Sequence, residues 1–362
     1  MSTGKNLNCQ SAAKRRNDLA AGVSPRTALT RRQFTAAACA LALGGSRAIA
    51  QQQVITDQEA KREIDILMDL FTKTAGGKQF WSDVSFFHKW RIQRNVLTGH
   101  HRLLDSADHR RASGTLEECR RALDDCRTRE KLPPMLGRAV VVLHGLFRSR
   151  SAMQPLCNSL EKENAFSTFN IGYSTTRGSV AEHVASLDSV LRSLEGITEI
   201  NFVGHSLGNL VVRSWLGDIV TGRRTIPAGQ TLGRMVMLAP PNQHPQIAAT
   251  LIRGELALSV AGAAARELAT GWETLAPTLA TPSFEFGILA GGKGDGRGFN
   301  PLLPGDDDAV VTVESTRLAG ARDFRLLPLL HSFIMFDARA KEFTLRFLQH
   351  GHFESEATRQ PV

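Results

Sequence analysis

The sequence has no internal repeat, and past its first fifty residues it has no low-complexity tract. A solenoid or repeat array is therefore excluded. Past residue 50 no apolar run approaches the roughly 20 residues a bilayer-crossing helix needs, so that part of the chain is expected to be soluble or peripheral. An excess of one charge sign is missing as well. The net charge is +9, but residues 1–50 hold eight of the 44 Lys/Arg and one of the 35 acids; the remainder has 36 against 34, a net +2. A nucleic-acid partner thereby loses its electrostatic basis. Cysteine is scarce: five in all, of which Cys119, Cys126 and Cys157 lie beyond residue 50. An odd number leaves one thiol unpaired in a monomer. On one straight helix, Cys119 and Cys126 would stand about 10 Å apart along the axis, too far to bridge. What remains is a chain 42% hydrophobic, enough for a sizeable core.

The first fifty residues carry their own signature. Thr30-Arg31-Arg32-Gln33-Phe34 precedes the apolar, helix-prone stretch 35–44, and Ala48-Ile49-Ala50 forms a small-residue cleavage site before Gln51. This reads as a twin-arginine export signal with too short an apolar part to span a membrane. The expectation is export, to the periplasm or beyond, and an oxidising compartment for the rest.

Residues 51–135 read as a helical extension. Residues 56–74 place Ile64, Leu67, Leu70 and Phe71 on one helical face behind a Thr/Asp cap. The stretch 80–111 interleaves Trp81, Phe86, Phe87 and Trp90 with His88, Lys89, Arg91 and Arg94. It is expected to be a helix with aromatics on the core and charges in solvent, and it offers peripheral contact with anionic lipid headgroups or sugar phosphates. Residues 116–129 give another helix, stopped by Pro133-Pro134.

From Arg138 the texture changes to strands alternating with helices. Ala139-Val140-Val141-Val142-Leu143 is a continuous apolar run of the kind buried on both faces of a parallel sheet. Further strands are expected at 166–173, 197–205, 234–238, 284–290 and 324–330, with helices at 179–194 and 338–349. Residues 246–280 are Ala- and Leu-rich and helical in pattern. Repeated β–α alternation implies a mostly parallel, doubly wound sheet with its chemistry at the strands' carboxyl ends.

One turn organises this part. An apolar strand runs into Gly204-His205-Ser206-Leu207-Gly208, and an apolar helix leaves it. In a strand–turn–helix context, Gly-x-Ser-x-Gly is a nucleophile elbow, with Ser206 strained and lifted above the sheet. A serine hydroxyl needs a base, and the base an orienting carboxylate, in the chain order Ser, acid, His. His331, after the last strand, is the best-placed base. The acid is sought in Asp306-Asp307-Asp308, with Glu314 and Asp323 as alternatives. Asp308 stands at the start of an apolar segment, Asp306 and Asp307 are expected to be more exposed, and three adjacent carboxylates also suit Ca²⁺. The oxyanion hole needs two main-chain amides, expected from Leu207 and from Leu146 in the His144-Gly145-Leu146 turn. His205 is expected to point away from substrate.

These pieces resemble bacterial lipases and esterases of the α/β-hydrolase superfamily over roughly the C-terminal two-thirds of the chain. The matching residues are His144-Gly145-Leu146, Tyr173-Ser174-Thr175-Thr176-Arg177, Gly204 to Asn209, Asp307-Asp308-Ala309-Val310-Val311 and His331-Ser332. The resemblance implies an α/β-hydrolase domain over 136–362, a triad of Ser206, Asp308 and His331, and oxyanion amides at Leu146 and Leu207. It also implies a helical lid over 244–282. The chain departs at Ala309, where the family often has glycine, and at Gln243-His244, where it often has Gly-Ser. The function implied is an exported serine hydrolase acting on carboxylic esters or lipids, with no cofactor and no metal. Acyl transfer, a thioesterase, and a catalytically silent envelope-lipid binder are the alternatives.

Overall fold

The computed structural model describes residues 78–163, 166–243 and 262–362. The expected export signal, the helix over 56–74 and the first part of the lid, 244–261, lie outside the described residues. Strand β5 (Gly137–Leu143) starts the main sheet. It is followed by β6 (Ser167–Ile171), β7 (Ile197–His205), β8 (Thr231–Leu238), β9 (Phe286–Gly292) and β10 (Asp323–Pro328). Their spatial order is β10-β9-β8-β7-β5-β6, and every neighbouring pair is parallel. This is the doubly wound α/β sheet that the β–α alternation implies.

The alternation of side chains along β5 explains why its apolar run is continuous. Ala139, Val141 and Leu143 face one core and Val140 and Val142 the other. Helices α2 (Arg150–Lys162) and α5 (Ala338–His350) cover the second core with Met153, Leu156, Leu160, Phe347 and Leu348. Helices α3 (Val180–Ser193) and α4 (Leu207–Val220) cover the first, with Leu187, Leu191, Leu210 and Trp215. The chain passes from β5 outward to β6, then returns to the other side of β5 to lay down β7. That reversal opens a crevice beyond the carboxyl ends of β5 and β7. His144-Gly145 leaves one strand there, and Ser206 leaves the other.

The segment 80–111 is not helical. It forms a four-stranded antiparallel sheet, β1 (Trp81–Phe87), β2 (Trp90–Asn95), β3 (His101–Leu104) and β4 (Arg110–Gly114), in that order. The aromatic residues have helical spacing, but the finer pattern has period two: Trp90 and Ile92 alternate with Arg91 and Gln93. The apolar set joins the first core, and Arg91 and Gln93 are buried on the opposite face, so of the segment's charges only those such as Lys89 and Arg94 reach solvent as a helix would have placed them. Helix α1 (Leu116–Arg129) follows as expected, with a Thr115/Glu118 capping box. It carries both Cys119 and Cys126 as buried free thiols; Cys157 is a third. The small sheet is tied to α3: Ser186 Oγ donates to Asp83 O at 2.5 Å, and Ser189 Oγ to Val84 O at 2.8 Å. Among the described residues no helix is long and apolar enough to cross a membrane.

Candidate active site

Ser206 has φ 51° and ψ −120°, a conformation that L-residues rarely adopt. The surroundings hold it there. Ser206 N–H donates to Leu238 O at 3.0 Å, and the Asn209 amide nitrogen donates to Ser206 O at 3.1 Å and to Leu238 O at 3.2 Å. Helix and strand meet so tightly that a Cβ on Gly208 would lie 2.6 Å from Leu143 O. The strain is thus offset by hydrogen bonds on both sides of the turn. Asn209, which sequence reasoning gave no role of its own, is the staple; its place in the motif was the only available signal.

His331 follows β10 and is buried. Its Nδ1 stands 2.8 Å from Asp308 Oδ2, and its own N–H donates to Asp308 O at 2.9 Å. Asp308 lies in the loop after β9, and its other oxygen accepts the amides of Val310 at 3.0 Å and Val311 at 2.6 Å. A carboxylate acceptor at Nδ1 places the proton on that nitrogen and leaves Nε2 with a lone pair. The histidine is linked to the elbow through His205, whose Nε2 lies 3.0 Å from His331 O and whose ring centre is 4.8 Å from that of His331. A carbonyl only accepts, so His205 Nε2 donates. Burial pushes the His205 pKa well below the ordinary value, so the ring is neutral. It serves the elbow from beneath.

The three aspartates have separate tasks. Asp306 accepts the amides of Lys293 and Gly294, each at 2.7 Å. Asp307, expected to be exposed, is fully buried, because the chain folds back over it: Oδ1 accepts the amides of Asn300 at 3.0 Å and Ala309 at 2.7 Å. Burial pushes its pKa up to about 6. Ala309, between the Asp308 loop and Val310, has φ 78°, which explains why a glycine would fit there. Of the alternative acids, Asp323 is committed to Arg325, at 2.9 Å, and to the amides of Phe353 and Gln360. Glu314 pairs with Arg317 at 3.3 Å. Neither faces His331. Among the described residues no group of three His, Cys, Asp or Glu side chains converges as a metal site.

Two turns meet at Ser206. Leu207 is the first residue of α4, where amides have no intrahelical partner and the helix dipole favours negative charge. Across the crevice, a Cβ on Gly145 would lie 3.0 Å from Ser206 Cβ and 2.8 Å from His205 Nδ1, so the turn carrying Leu146 presses on the elbow. That turn is braced from Tyr173-Ser174-Thr175. The Tyr173 hydroxyl donates to His144 O, and Phe147 N–H, at φ 56°, donates to Thr175 Oγ1 at 3.1 Å. The Tyr173 ring stacks on His144 at 4.2 Å. Burial lowers the His144 pKa to about 4, so this histidine stays neutral and structural.

No protein-family model matches the sequence, and no curated relative does. Similar solved structures exist. A Bacillus licheniformis lipase, BlEst2, is 20% identical over 59% of this chain and 91% of its own, with a TM-score of 0.42. The Legionella pneumophila phospholipase PlaB is 18% identical over 50% of this chain and 45% of its own, at 0.38. A Pyrobaculum calidifontis esterase is 12% identical over 81% and 91%, at 0.41. With TM-scores this low, the likenesses settle neither the fold nor the reaction of this chain; strand order and side-chain geometry stand on their own.

Proposed function

We propose that the protein is a serine hydrolase of carboxylic esters. The observation that carries the reading is the 2.8 Å contact between His331 Nδ1 and Asp308 Oδ2, linked through His205 to a serine held at φ 51°. In this reading His331 Nε2 takes the proton of the Ser206 hydroxyl as Oγ attacks the ester carbonyl. The amides of Leu146 and Leu207 receive the developing oxyanion. The tetrahedral adduct collapses, His331 returns the proton to the leaving alcohol, and an acyl-Ser206 remains. Water, deprotonated by the same imidazole, then attacks the acyl-enzyme and releases the acid. Asp308 fixes the tautomer throughout. The exposed rings of Phe333 and Phe336, 42% and 41% accessible on the turn that begins at His331, favour an acyl chain over a polar substituent. The twin-arginine signature supports export as the setting for this activity.

The test is hydrolysis of p-nitrophenyl esters from C2 to C16 by the full chain, with Ser206→Ala beside it. Serine-dependent turnover is expected, and the preferred chain length separates a lipase from an esterase. Undiminished turnover by Ser206→Ala would sink the assignment.

A further inference from the structure

The aromatic–basic stretch 80–111 plays no part in the reaction above, yet its buried polar face closes a cavity of about 610 Å³. We propose that this cavity is a binding site for a phosphate group, carried by a small phosphorylated molecule or a lipid headgroup. Four guanidinium groups line it: Arg91 from β2, Arg102 from β3, Arg110 from β4 and Arg150 at the start of α2. The one acid in the lining is Asp108, which takes hydrogen bonds from Arg91 and, at 3.2 Å, from Arg150. Behind Arg91, Asp83 lies 3.7 Å away. Among the described residues two carboxylates thus stand against four arginines.

The remaining guanidinium capacity points to a missing anion. Arg91 is only 4% exposed, and among the described residues its Nε, like that of Arg150, is buried without a hydrogen-bond partner. Arg102 spends Nε and one terminal nitrogen on a neutral acceptor, Gln93 Oε1, at 2.9 and 2.7 Å, while its guanidinium stacks over the Trp81 ring at 3.9 Å. Burial and the Arg91 charge lower the pKa of Arg102, the expected response of a cation short of counter-charge. Among the described residues Arg110 has no carboxylate within ion-pair distance. An unpaired buried donor and a surplus of like charge are both costly, and a multidentate oxyanion removes both costs. Phosphate suits planar guanidinium forks, presenting several oxygens to donors arriving from different strands. The volume exceeds that of a bare ion, and Trp81 supplies an apolar wall for whatever the phosphate carries. Tyr173 and His144 also line the cavity, so the occupant would lie against the stack that braces the Leu146 turn.

The test is binding, so it stands or falls independently of ester hydrolysis. Isothermal titration of the full chain at low salt uses inorganic phosphate and sn-glycerol 3-phosphate as soluble probes. Co-sedimentation uses vesicles of phosphatidylglycerol. The buried Arg91 is left alone; Arg110→Gln and Arg150→Gln are compared with Arg121→Gln, an exposed site on α1 away from the cavity, after each variant is shown to melt like the parent. Saturable binding of a soluble probe, weakened about tenfold by each cavity variant and unchanged by Arg121→Gln, is expected for a small phosphorylated ligand. The same pattern seen only with vesicles assigns the phosphate to a lipid headgroup and equally supports the site. Absence of saturable binding to any probe, or equal weakening by Arg121→Gln, overturns it.

Discussion

The two sheets place their buried polar groups differently. The parallel sheet buries a few within its strands, among them Asn170, Asn201 and the paired Asp323 and Arg325, but the residues of the candidate site stand just past the strands' carboxyl ends: His144 after β5, Ser206 after β7, Asp308 after β9 and His331 after β10. The antiparallel sheet places Asp83, Arg91, Gln93 and Arg102 within its strands. At a strand end the loop can take strained backbone angles and helix N-termini offer free amides, so a group there can be aimed at a reactant. Within a strand the ladder fixes the side chain's direction, so a charge there must be paired in place or wait for a ligand. The contrast predicts that strand-end changes remove chemistry and leave the fold, while strand-interior changes do the reverse.

The largest expected effect is at Ser206. Ser206→Ala should reduce turnover by about 10⁶-fold with no fall in melting temperature, because it also removes a strained residue's hydroxyl and no buried hydrogen bond. Asp308→Asn should cost about 10⁴-fold by favouring the wrong His331 tautomer; kcat measured beside a thermal melt distinguishes this from unfolding. Asp83→Ala should invert the pattern. Asp83 is fully buried and accepts Gln93 Nε2 at 2.7 Å and the Gly172 amide at 2.6 Å beside Arg91. Its loss should cost about 3–5 kcal/mol in urea unfolding, with turnover per folded molecule nearly unchanged. An Asp83→Ala protein that lost activity but kept its stability would break the contrast.

Asp307 sharpens it, being the sequence neighbour of Asp308 without its task. Its pKa is raised by burial to about 6, so its contribution to stability is fully present below the unfolded value of 3.8 and is lost as pH rises through about 6. Asp307→Asn should therefore flatten the decline of the urea midpoint between pH 4 and 7, and gain on the parent at pH 7, with modest change in turnover. The smallest effect is at Ala309. Relief of the left-handed angle is worth about 1–2 kcal/mol, and the lost methyl and added chain entropy take back most of that. Ala309→Gly should thus be neutral or stabilise by up to about 1 kcal/mol, whereas Ala309→Val should destabilise clearly in the same melt.

Much of this was legible because the parallel sheet writes its rules locally. A run such as 139–143 has few alternatives to a doubly covered strand, and the turn at Ser206 announces itself by its glycines and the apolar segments on either side. His331 was singled out from its position and Asp308 from its position together with the family resemblance, and the two lie within hydrogen-bond distance. The antiparallel sheet was not legible, since the spacing of Phe86, Phe87 and Trp90 among basic residues matches the two sides of a helix. Asp307 was missed because the groups that bury it, the amide of Asn300 and the backbone around Gly298, come from a loop with no periodicity to read.

The central claim is that Ser206 is a nucleophile activated by His331. Labelling of the full chain with a fluorophosphonate, followed by peptide mass mapping, tests it most directly. One adduct is expected, on the peptide containing Ser206, absent in Ser206→Ala and formed far more slowly in His331→Ala. No adduct on the folded protein, or one mapping to another residue, would contradict it.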